Sequence, residues 1–126
     1  MDEINLTNSE WYVLDCLWEN STMTVMELAA ALNGRLGWAK STSITTLRRM
    51  EDKGLVRCAV EGRTKHYSAA VPRARAVRGE TRAFLDKVYR GSVGLMVSAL
   101  AEDKALSKAE IDELYEILRK AEEGGQ

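Results

Sequence analysis

The residues best suited to chemistry in this sequence are hydroxyl and basic side chains concentrated between positions 40 and 65. Short hydroxyl side chains let a backbone approach base edges, whereas lysine and arginine bind phosphate. A helix N-terminus also favours phosphate. Together these features predict a surface that contacts nucleic acid. Its candidate residues are Lys40, Ser41, Thr42, Thr45, Thr46, Arg48, Arg49, Arg57, Arg63 and Lys65.

Other kinds of site lack the residues they need. His66 is the single histidine, so no Ser/His/Asp or Cys/His set is available for nucleophilic catalysis, and we predict no enzyme. Cys16 and Cys58 are the only cysteines, too few for a disulfide scaffold or a zinc-finger set. We therefore predict no catalytic residues, no metal and no cofactor, and we interpret Cys16 as a small core residue.

The formal charge of −1 is distributed unevenly along the chain. Residues 1–36 carry −5, residues 37–82 carry +7 and residues 83–126 carry −3. A basic block between two acidic ones is typical of a local polyanion site, although a solvated helix face with a charged loop would give the same composition. No apolar run approaches the roughly 20 residues that span a bilayer, so we expect no membrane insertion and a cytoplasmic location.

Two predicted helices precede the basic block. Each is opened by a capping box, in which a threonine and a glutamate three residues later bind each other's backbone N–H groups. The first box, at Thr7, starts a helix over about 8–19. The second, at Thr24, starts a helix that runs through Leu32, where Asn33-Gly34 ends it.

A third helix carries the hydroxyl residues. It is predicted to have Ser41 or Thr42 as its N-cap and to end at Gly54. With its central leucine set as the inward direction and 100° per residue, its apolar residues point inward. Hydroxyls followed by an arginine then face outward, and Thr46 and Arg48 lie on the flanks.

Two predicted strands follow, over 55–60 and 64–69, joined by a turn at Glu61-Gly62-Arg63 where glycine supplies a positive φ. Met23-Thr24-Val25 is a candidate for a further, very short strand. Three helices followed by a hairpin form the winged helix-turn-helix arrangement, with the third helix as the recognition helix and the hairpin as the wing. We predict that this domain occupies residues 1–72.

Residues 73–126 form a predicted helical arm, whose last helix opens with a capping box at Ser107 and frays over 122–126. Its amphipathic helices are too short to build much core alone. A second copy of the chain would cover them and would match a palindromic operator; packing against the winged domain is the alternative. The residues predicted to form the dimer contact are Phe84, Leu85, Val88, Met96, Val97, Leu100, Ile111, Leu114, Tyr115 and Leu118.

Over nearly its whole length the sequence resembles the penicillinase-repressor family of bacterial transcription regulators (BlaI/MecI type). The resemblance rests on LTNSEWYVLDCLWE, GWAKSTSITTLRRMEDKGLV, the wing ending in HYSAAV, FLDKVYRGSVGLMVSAL and KAEIDELYEILRK. It implies a winged-helix dimer with a helical C-terminal arm that represses β-lactamase, penicillin-binding-protein or other genes. It also implies a sensor peptidase as a further partner, which triggers cleavage within the arm in the antibiotic systems.

Two features of that family do not carry over. The bond cut in the antibiotic-resistance members is Asn-Phe, whereas the corresponding position here is Ala99-Leu100. Because Val97, Leu100 and Leu106 are also expected to be buried, we predict no cleavage by that route. The copper-responsive members carry a C-terminal cysteine cluster, which this sequence lacks, so copper sensing by such a cluster is excluded.

The sequence thus predicts a mainly α fold with a small β-hairpin wing, as a winged helix-turn-helix domain plus a C-terminal helical dimerisation arm. The predicted function is a DNA-binding transcriptional repressor that binds a palindromic operator as a homodimer and is derepressed by a signal acting on the arm. The alternative is a winged-helix module that binds protein without specific DNA binding. A steep fall of DNA affinity with salt distinguishes the first from the second.

Overall fold

The computed structural model describes residues 5–125 and shows a mainly helical chain with a three-stranded antiparallel sheet, as predicted. No helix in this described part is long and apolar enough to cross a membrane. Along the chain the elements are α1 (Asn8–Asn20), β1 (Met23–Thr24), α2 (Val25–Leu36), α3 (Lys40–Asp52), β2 (Val56–Glu61), β3 (Thr64–Ala69), α4 (Arg73–Tyr89), α5 (Val93–Glu102) and α6 (Lys108–Gly125).

The capping boxes predicted at Thr7 and Thr24 are both present at the starts of α1 and α2. The predicted end of α2 at Asn33-Gly34 is wrong, because the helix continues to Leu36. Gly37 ends it with a φ of +73° and donates its N–H to the carbonyl of Asn33. A glycine without a Cβ adopts this left-handed conformation at little cost, so the later glycine provides the better stop.

Helix α3 begins earlier than predicted. Ala39 is its N-cap, and no side chain caps it, so the predicted caps Ser41 and Thr42 are wrong. Both residues lie instead in the first turn of the helix. The predicted inward direction is confirmed, because Leu47 and Met50 are buried.

The hairpin pairs β2 with β3 from Val56↔Ala69 to Glu61↔Thr64, which leaves a two-residue loop at Gly62-Arg63. Gly62 has a φ of +64°, the backbone conformation that tight hairpin loops require. The very short strand β1 pairs with β3 through Met23↔Tyr67. The predicted wing and extra strand are confirmed, with β2 starting at Val56 rather than one residue earlier.

The start of α4 packs with the winged helix. The indole N–H of Trp18 donates to the carbonyl of Val71 at 2.9 Å, and the guanidinium of Arg73 lies 5.9 Å from the Trp18 ring centroid. Ala76 belongs to the same buried core as α1, α2 and α3. The chain divides into two compact units between Thr81 and Arg82, later than the predicted boundary after residue 72.

The second unit contains the end of α4 together with α5 and α6. The predicted capping box at Ser107 is present, with Ser107 and Glu110 exchanging backbone hydrogen bonds. Helix α6 reaches Gly125, so the fraying predicted from residue 122 is not seen in the described residues; Gln126 lies outside them. Neither α5 nor α6, both fully described, has a buried residue.

Candidate nucleic-acid interface

Helix α3 carries a shallow depression of about 320 Å³ on its outer surface. Four of its lining residues are exposed. Thr45 lies four residues after Ser41 and three after Thr42, and Arg49 lies four after Thr45, so these side chains share one helix face. The structure therefore brings together half of the predicted DNA-binding set. The lining residues are Ser41, Thr42, Thr45, Thr46 and Arg49.

Thr46 differs from the other residues of the depression because its side chain is only 3% exposed. The prediction that it flanks an open face is wrong. The packed side of α3 is wider than its apolar residues indicate, since Ser43 is also buried, at 2% exposed. Thr46 therefore borders the depression but offers almost no surface to a ligand.

A second, smaller cavity of about 190 Å³ lies where α3 approaches the hairpin. Arg48 and Lys65 contribute cationic groups to it, and Glu51 contributes a carboxylate. Burial, together with a hydrogen bond to Cys58, raises the pKa of Tyr67 to about 12. Tyr67 is therefore a neutral phenol at physiological pH, so the charged groups of this cavity are the two cations and the Glu51 carboxylate.

The remaining predicted cations are spread over the wing and the helix start. Lys40 is the exposed first residue of α3, and Arg63 is exposed in the hairpin loop. Arg57 pairs with Ser68, so these two side chains lie on the same face of the hairpin. Ser68 is three residues from Lys65 on β3, and successive side chains of a strand alternate between its two faces. Arg57 and Lys65 therefore project from opposite faces of the hairpin.

An ion pair that the sequence analysis did not predict holds the end of α3. Lys53, the C-cap of that helix, donates from Nζ to the buried Glu10 Oε2 at 2.5 Å. Burial disfavours the Glu10 carboxylate, but hydrogen bonds from Lys53 and Thr7 outweigh it, so the pKa of Glu10 is lowered. Glu10 lies on the same face of α1 as Val13 and Leu17. This spacing indicates that its carboxylate is buried and needs a cation nearby.

The cysteines form no metal site in the described part of the chain. Both thiols are free, and Cys16 is fully buried in α1, in agreement with its predicted core position. Burial raises the pKa of the Cys16 thiol, which keeps it protonated. No group of three His, Cys, Asp or Glu residues within 5–125 could hold a metal ion.

An apolar groove of about 340 Å³ lies between α5 and α6 in the second unit. Tyr115 and Leu118 are 71% and 56% exposed beside it. Among the other predicted dimer residues, Phe84 and Val88 are about half exposed, whereas Leu85 is buried within the chain. The groove is lined by Val97, Ala101, Leu106, Ile111, Leu114, Tyr115 and Leu118.

The predicted cleavage-equivalent position, Ala99-Leu100, lies inside helix α5. The carbonyl of Ala99 accepts from the N–H of Asp103 at 3.1 Å, and that of Leu100 accepts from Ala105 at 3.0 Å. The predicted burial of the surrounding residues is wrong: Leu100 is 40% exposed, and Val97 and Leu106 are partly exposed. The short arm helices leave these apolar side chains uncovered in a single chain.

Known proteins share the sequence pattern and the fold of this chain. A penicillinase repressor of Bacillus licheniformis is 29% identical over 113 residues, covering 90% of this chain and 88% of that protein. The solution structure of the DNA-binding domain of the repressor BlaI matches with 25% identity and a TM-score of 0.52, covering 60% of this chain and 93% of that one.

A further solution structure, the Bacillus licheniformis BlaI monomeric form in complex with the blaP half-operator, matches with 23% identity and a TM-score of 0.53. It covers 59% of this chain and 90% of that one and supports the winged-helix fold. The family model described as penicillinase repressor matches residues 6–120. Because that match extends from the start of α1 through most of α6, this chain belongs to the penicillinase repressor family, as its sequence motifs predicted.

Proposed function

We propose that this chain is a transcriptional repressor that binds an operator in double-stranded DNA through α3 and the wing, and that it does so as a homodimer. Repression follows from family membership. The BlaI structure bound to a half-operator shows a chain of this fold on DNA. The finer parts of the proposal, the contact residues and the dimer, rest on the geometry of the two units.

The main observation that supports the proposed DNA binding is the exposed face of α3. Its depression presents three hydroxyls beside Arg49, whose guanidinium makes no hydrogen bond or ion pair within residues 5–125. Major-groove recognition uses such a helix face, with phosphate contacts from surrounding cations. We assign the phosphate contacts to Lys40, Arg48, Arg63 and Lys65. Arg57 is a peripheral member because it projects from the other face of the hairpin, and Thr46 is excluded by its burial.

A salt titration tests this proposal against the protein-binding alternative. If each protomer neutralises four or five phosphates, the logarithm of the homodimer's binding constant should fall by about eight units for each tenfold rise in salt, and by about four units for one protomer on a half-site. Fluorescence anisotropy of the full chain with duplex DNA measures this slope. A flat response, or no binding, would reject the DNA-binding surface and favour a module that contacts protein.

The proposed dimer rests on the apolar surface of the arm. The groove between α5 and α6 is continuous with the exposed Tyr115 and Leu118, and contiguous apolar patches on soluble chains mark interaction sites. A second copy is the occupant that a repressor reading a palindromic operator requires. Leu85 is buried within the chain, so we leave it out of the proposed contact residues.

Sedimentation of the full chain tests the dimer. We expect a homodimer for the wild type and a monomer for Leu118→Asp, because an unpaired carboxylate in an apolar contact is costly. Met26→Asp is the matched control, since Met26 is 61% exposed but belongs to the first unit; it should leave the dimer intact. A Leu118→Asp protein that remained dimeric would reject this interface.

The proposal extends to derepression and location. A signal that weakens the arm contact would remove the gain from binding two half-sites at once, so the arm is the proposed point of regulation, with a sensor peptidase as one candidate partner. The proposed location is the cytoplasm, where the operator lies.

A further inference from the structure

The indole ring of Trp18 holds the start of α4 against α1 through two different groups. Its N–H donates to the carbonyl of Val71 at 2.9 Å. The guanidinium of Arg73 lies over the ring, 5.9 Å from its centroid. Trp11 packs edge-on against the same ring, with 5.3 Å between the centroids. Trp18 is thus supported by a residue of its own helix and contacts the residues on both sides of Pro72.

The carbonyl of Val71 needs this contact because it lies just outside α4. The carbonyl of the next residue, Pro72, accepts from the N–H groups of Arg75 and Ala76 and so belongs to the first turn of the helix. Val71 is 6% exposed, and a buried carbonyl without a hydrogen-bond partner is costly. The N–H of Trp18 satisfies it.

The position of the first turn of α4 matters for the rest of that helix. Helix α4 runs from Arg73 to Tyr89 and so continues past Thr81, where the first unit ends. A helix is a rigid element that transmits a constraint along its length. A contact that fixes its first turn therefore limits how freely α4 can reorient on the winged helix. In a dimer on DNA, the gain from the second half-site depends on how well the connection between the two binding parts matches their span.

We propose that Trp18 is a positioning residue, which holds the start of α4 on α1 and thereby sets how strictly the homodimer selects the spacing between its two half-sites. This inference rests on the proposed function and deepens it. Trp18 is not part of α3 or the wing, and it does not line the groove between α5 and α6. Loss of its N–H should therefore leave half-site binding and dimer assembly unchanged and relax the spacing preference.

The test uses the full-length chain and the twofold-symmetric site shared by the genomic fragments that the chain retains. A second duplex has two base pairs inserted between the half-sites, which rotates one half-site by about 70° relative to the other. We expect the wild type to bind the unaltered site about 100-fold or more tightly than the inserted one, since the gain from a second site is lost when geometry prevents simultaneous binding.

Trp18→Phe keeps an aromatic ring and removes the N–H donor. We expect it to lower the ratio of the two affinities about tenfold, because a less constrained α4 reduces the effective concentration at the second half-site. Its affinity for a duplex with a single half-site, and its dimerisation measured by sedimentation, should equal those of the wild type.

Two further variants complete the test. Arg73→Gln removes the cation from the ring and keeps the hydrogen bond to Val71, so it should lower the ratio by a smaller factor. Ala29→Gly is the matched control for stability. It weakens the buried side of α2, because glycine disfavours a helix interior, and it leaves the residues around Trp18 unchanged. Its ratio should equal that of the wild type, and circular dichroism confirms that each variant is folded.

The outcomes separate this inference from the proposed function. A folded Trp18→Phe with the ratio of the wild type would overturn the positioning role and leave the repressor proposal standing. An equal fall in Ala29→Gly, or an equal loss of affinity on the single half-site, would also overturn that role. If Trp18→Phe does not fold, Arg73→Gln decides: a lowered ratio supports the inference and an unchanged one overturns it. A wild type without spacing preference would overturn the inference, and one that binds no specific site would overturn both proposals.

Discussion

Lys53 at the end of α3 donates to the buried carboxylate of Glu10 in the first turn of α1, with 2.5 Å between Nζ and Oε2. Glu10 also closes the capping box of α1 by accepting from the N–H of Thr7 at 2.9 Å. One carboxylate thus caps the first helix and fixes the C-terminal end of α3. The ion pair therefore links the stability of the winged helix to the position of α3, the helix of the proposed DNA-binding face.

This ion pair predicts a loss of stability in acid. The pKa of Glu10 in the folded chain is below its ordinary value of 4.5, so its contribution is complete above that value and is lost as the pH falls through the lowered folded pKa. Glu10→Gln should therefore be less stable than the wild type at pH 7, and the difference should shrink below pH 4. Urea unfolding across this pH range measures it.

Two further variants test the ion pair from the side of Lys53, one by removing the cation and one as a control. Lys53→Met leaves the buried Glu10 carboxylate without its cation and should cost about 1–3 kcal/mol at pH 7. Asp52→Asn removes an exposed carboxylate one residue away and should change stability by less than about 0.5 kcal/mol. Equal stability of Lys53→Met and the wild type would show that the ion pair does not contribute to folding.

Ser43 should be replaceable at no cost in stability. Its Oγ is buried and has no hydrogen-bond partner within residues 5–125. Removing a buried hydroxyl that makes no bond relieves its desolvation penalty, so Ser43→Ala should leave stability unchanged or raise it by about 1 kcal/mol. Thermal unfolding measures this effect beside the exposed control Ser41→Ala, and a loss above about 1 kcal/mol would indicate a hidden partner.

Thr45 and Lys65 should contribute differently to DNA binding. Thr45→Ala should lose discrimination among related operators, because a contact with a base edge is worth about 1–3 kcal/mol for the correct base. Lys65→Ala should weaken all sequences nearly equally and lower the salt slope by about one unit for each protomer bound. Anisotropy titrations on a panel of single-base operator variants measure both effects. Unchanged operator preference in Thr45→Ala would show that α3 does not read bases at that position.

The boundary of the DNA-binding part is itself testable. Because Ala76 packs in the core of the winged helix and Arg73 lies over Trp18, a chain ending at Thr81 should be more stable than one ending at Pro72. Both should sediment as monomers and bind a half-site weakly, since the tethered partner is lost. Chemical denaturation and sedimentation of the two truncations provide the comparison; a dimeric truncation would place the interface in the winged helix.

The chain should resist a β-lactam-triggered sensor peptidase from an antibiotic-resistance system. Ala99-Leu100 lacks the Asn-Phe pair, and its carbonyls are hydrogen-bonded at the end of α5. Leu100 is partly exposed, so burial is not a reason for resistance. The prediction rests instead on the identity of Ala99 and Leu100 and on their helical conformation. Co-expression with such a sensor, addition of β-lactam and mass measurement of the chain test it. A fragment ending at Ala99 would contradict it.

Much of the fold was predictable because local signals agree with tertiary packing. The threonine capping boxes set the starts of α1 and α2, and the hairpin turn at Gly62 set the wing. The end of α2 was not predictable in this way, since Gly34 and Gly37 both could stop a helix and only the second adopts the left-handed conformation. Packing of the helix decides which of the two glycines ends it, and a single sequence does not show that packing.

The sequence indicated the outward face of α3, where Ser41, Thr42, Thr45 and Arg49 are exposed, and the role of this face in DNA binding stays a prediction. The errors arise where packing between elements decides exposure and partners. A helical wheel gives the inward direction of α3 but not the width of the surface that neighbouring elements cover, which is why Thr46 is buried. Strand register likewise decides that Arg57 and Lys65 lie on opposite faces of the hairpin. The partner of Glu10 is 43 residues away in sequence, so no local pattern could identify Lys53.

The central claim is that the full chain recognises a specific operator, and competition on DNA tests it most directly. Genomic fragments that the chain retains are sequenced, and the shared site is then competed against a scrambled duplex of equal length and composition at physiological salt. We predict a twofold-symmetric site bound about 10³-fold or more tightly than the scrambled duplex. Equal binding of the two duplexes would contradict operator recognition.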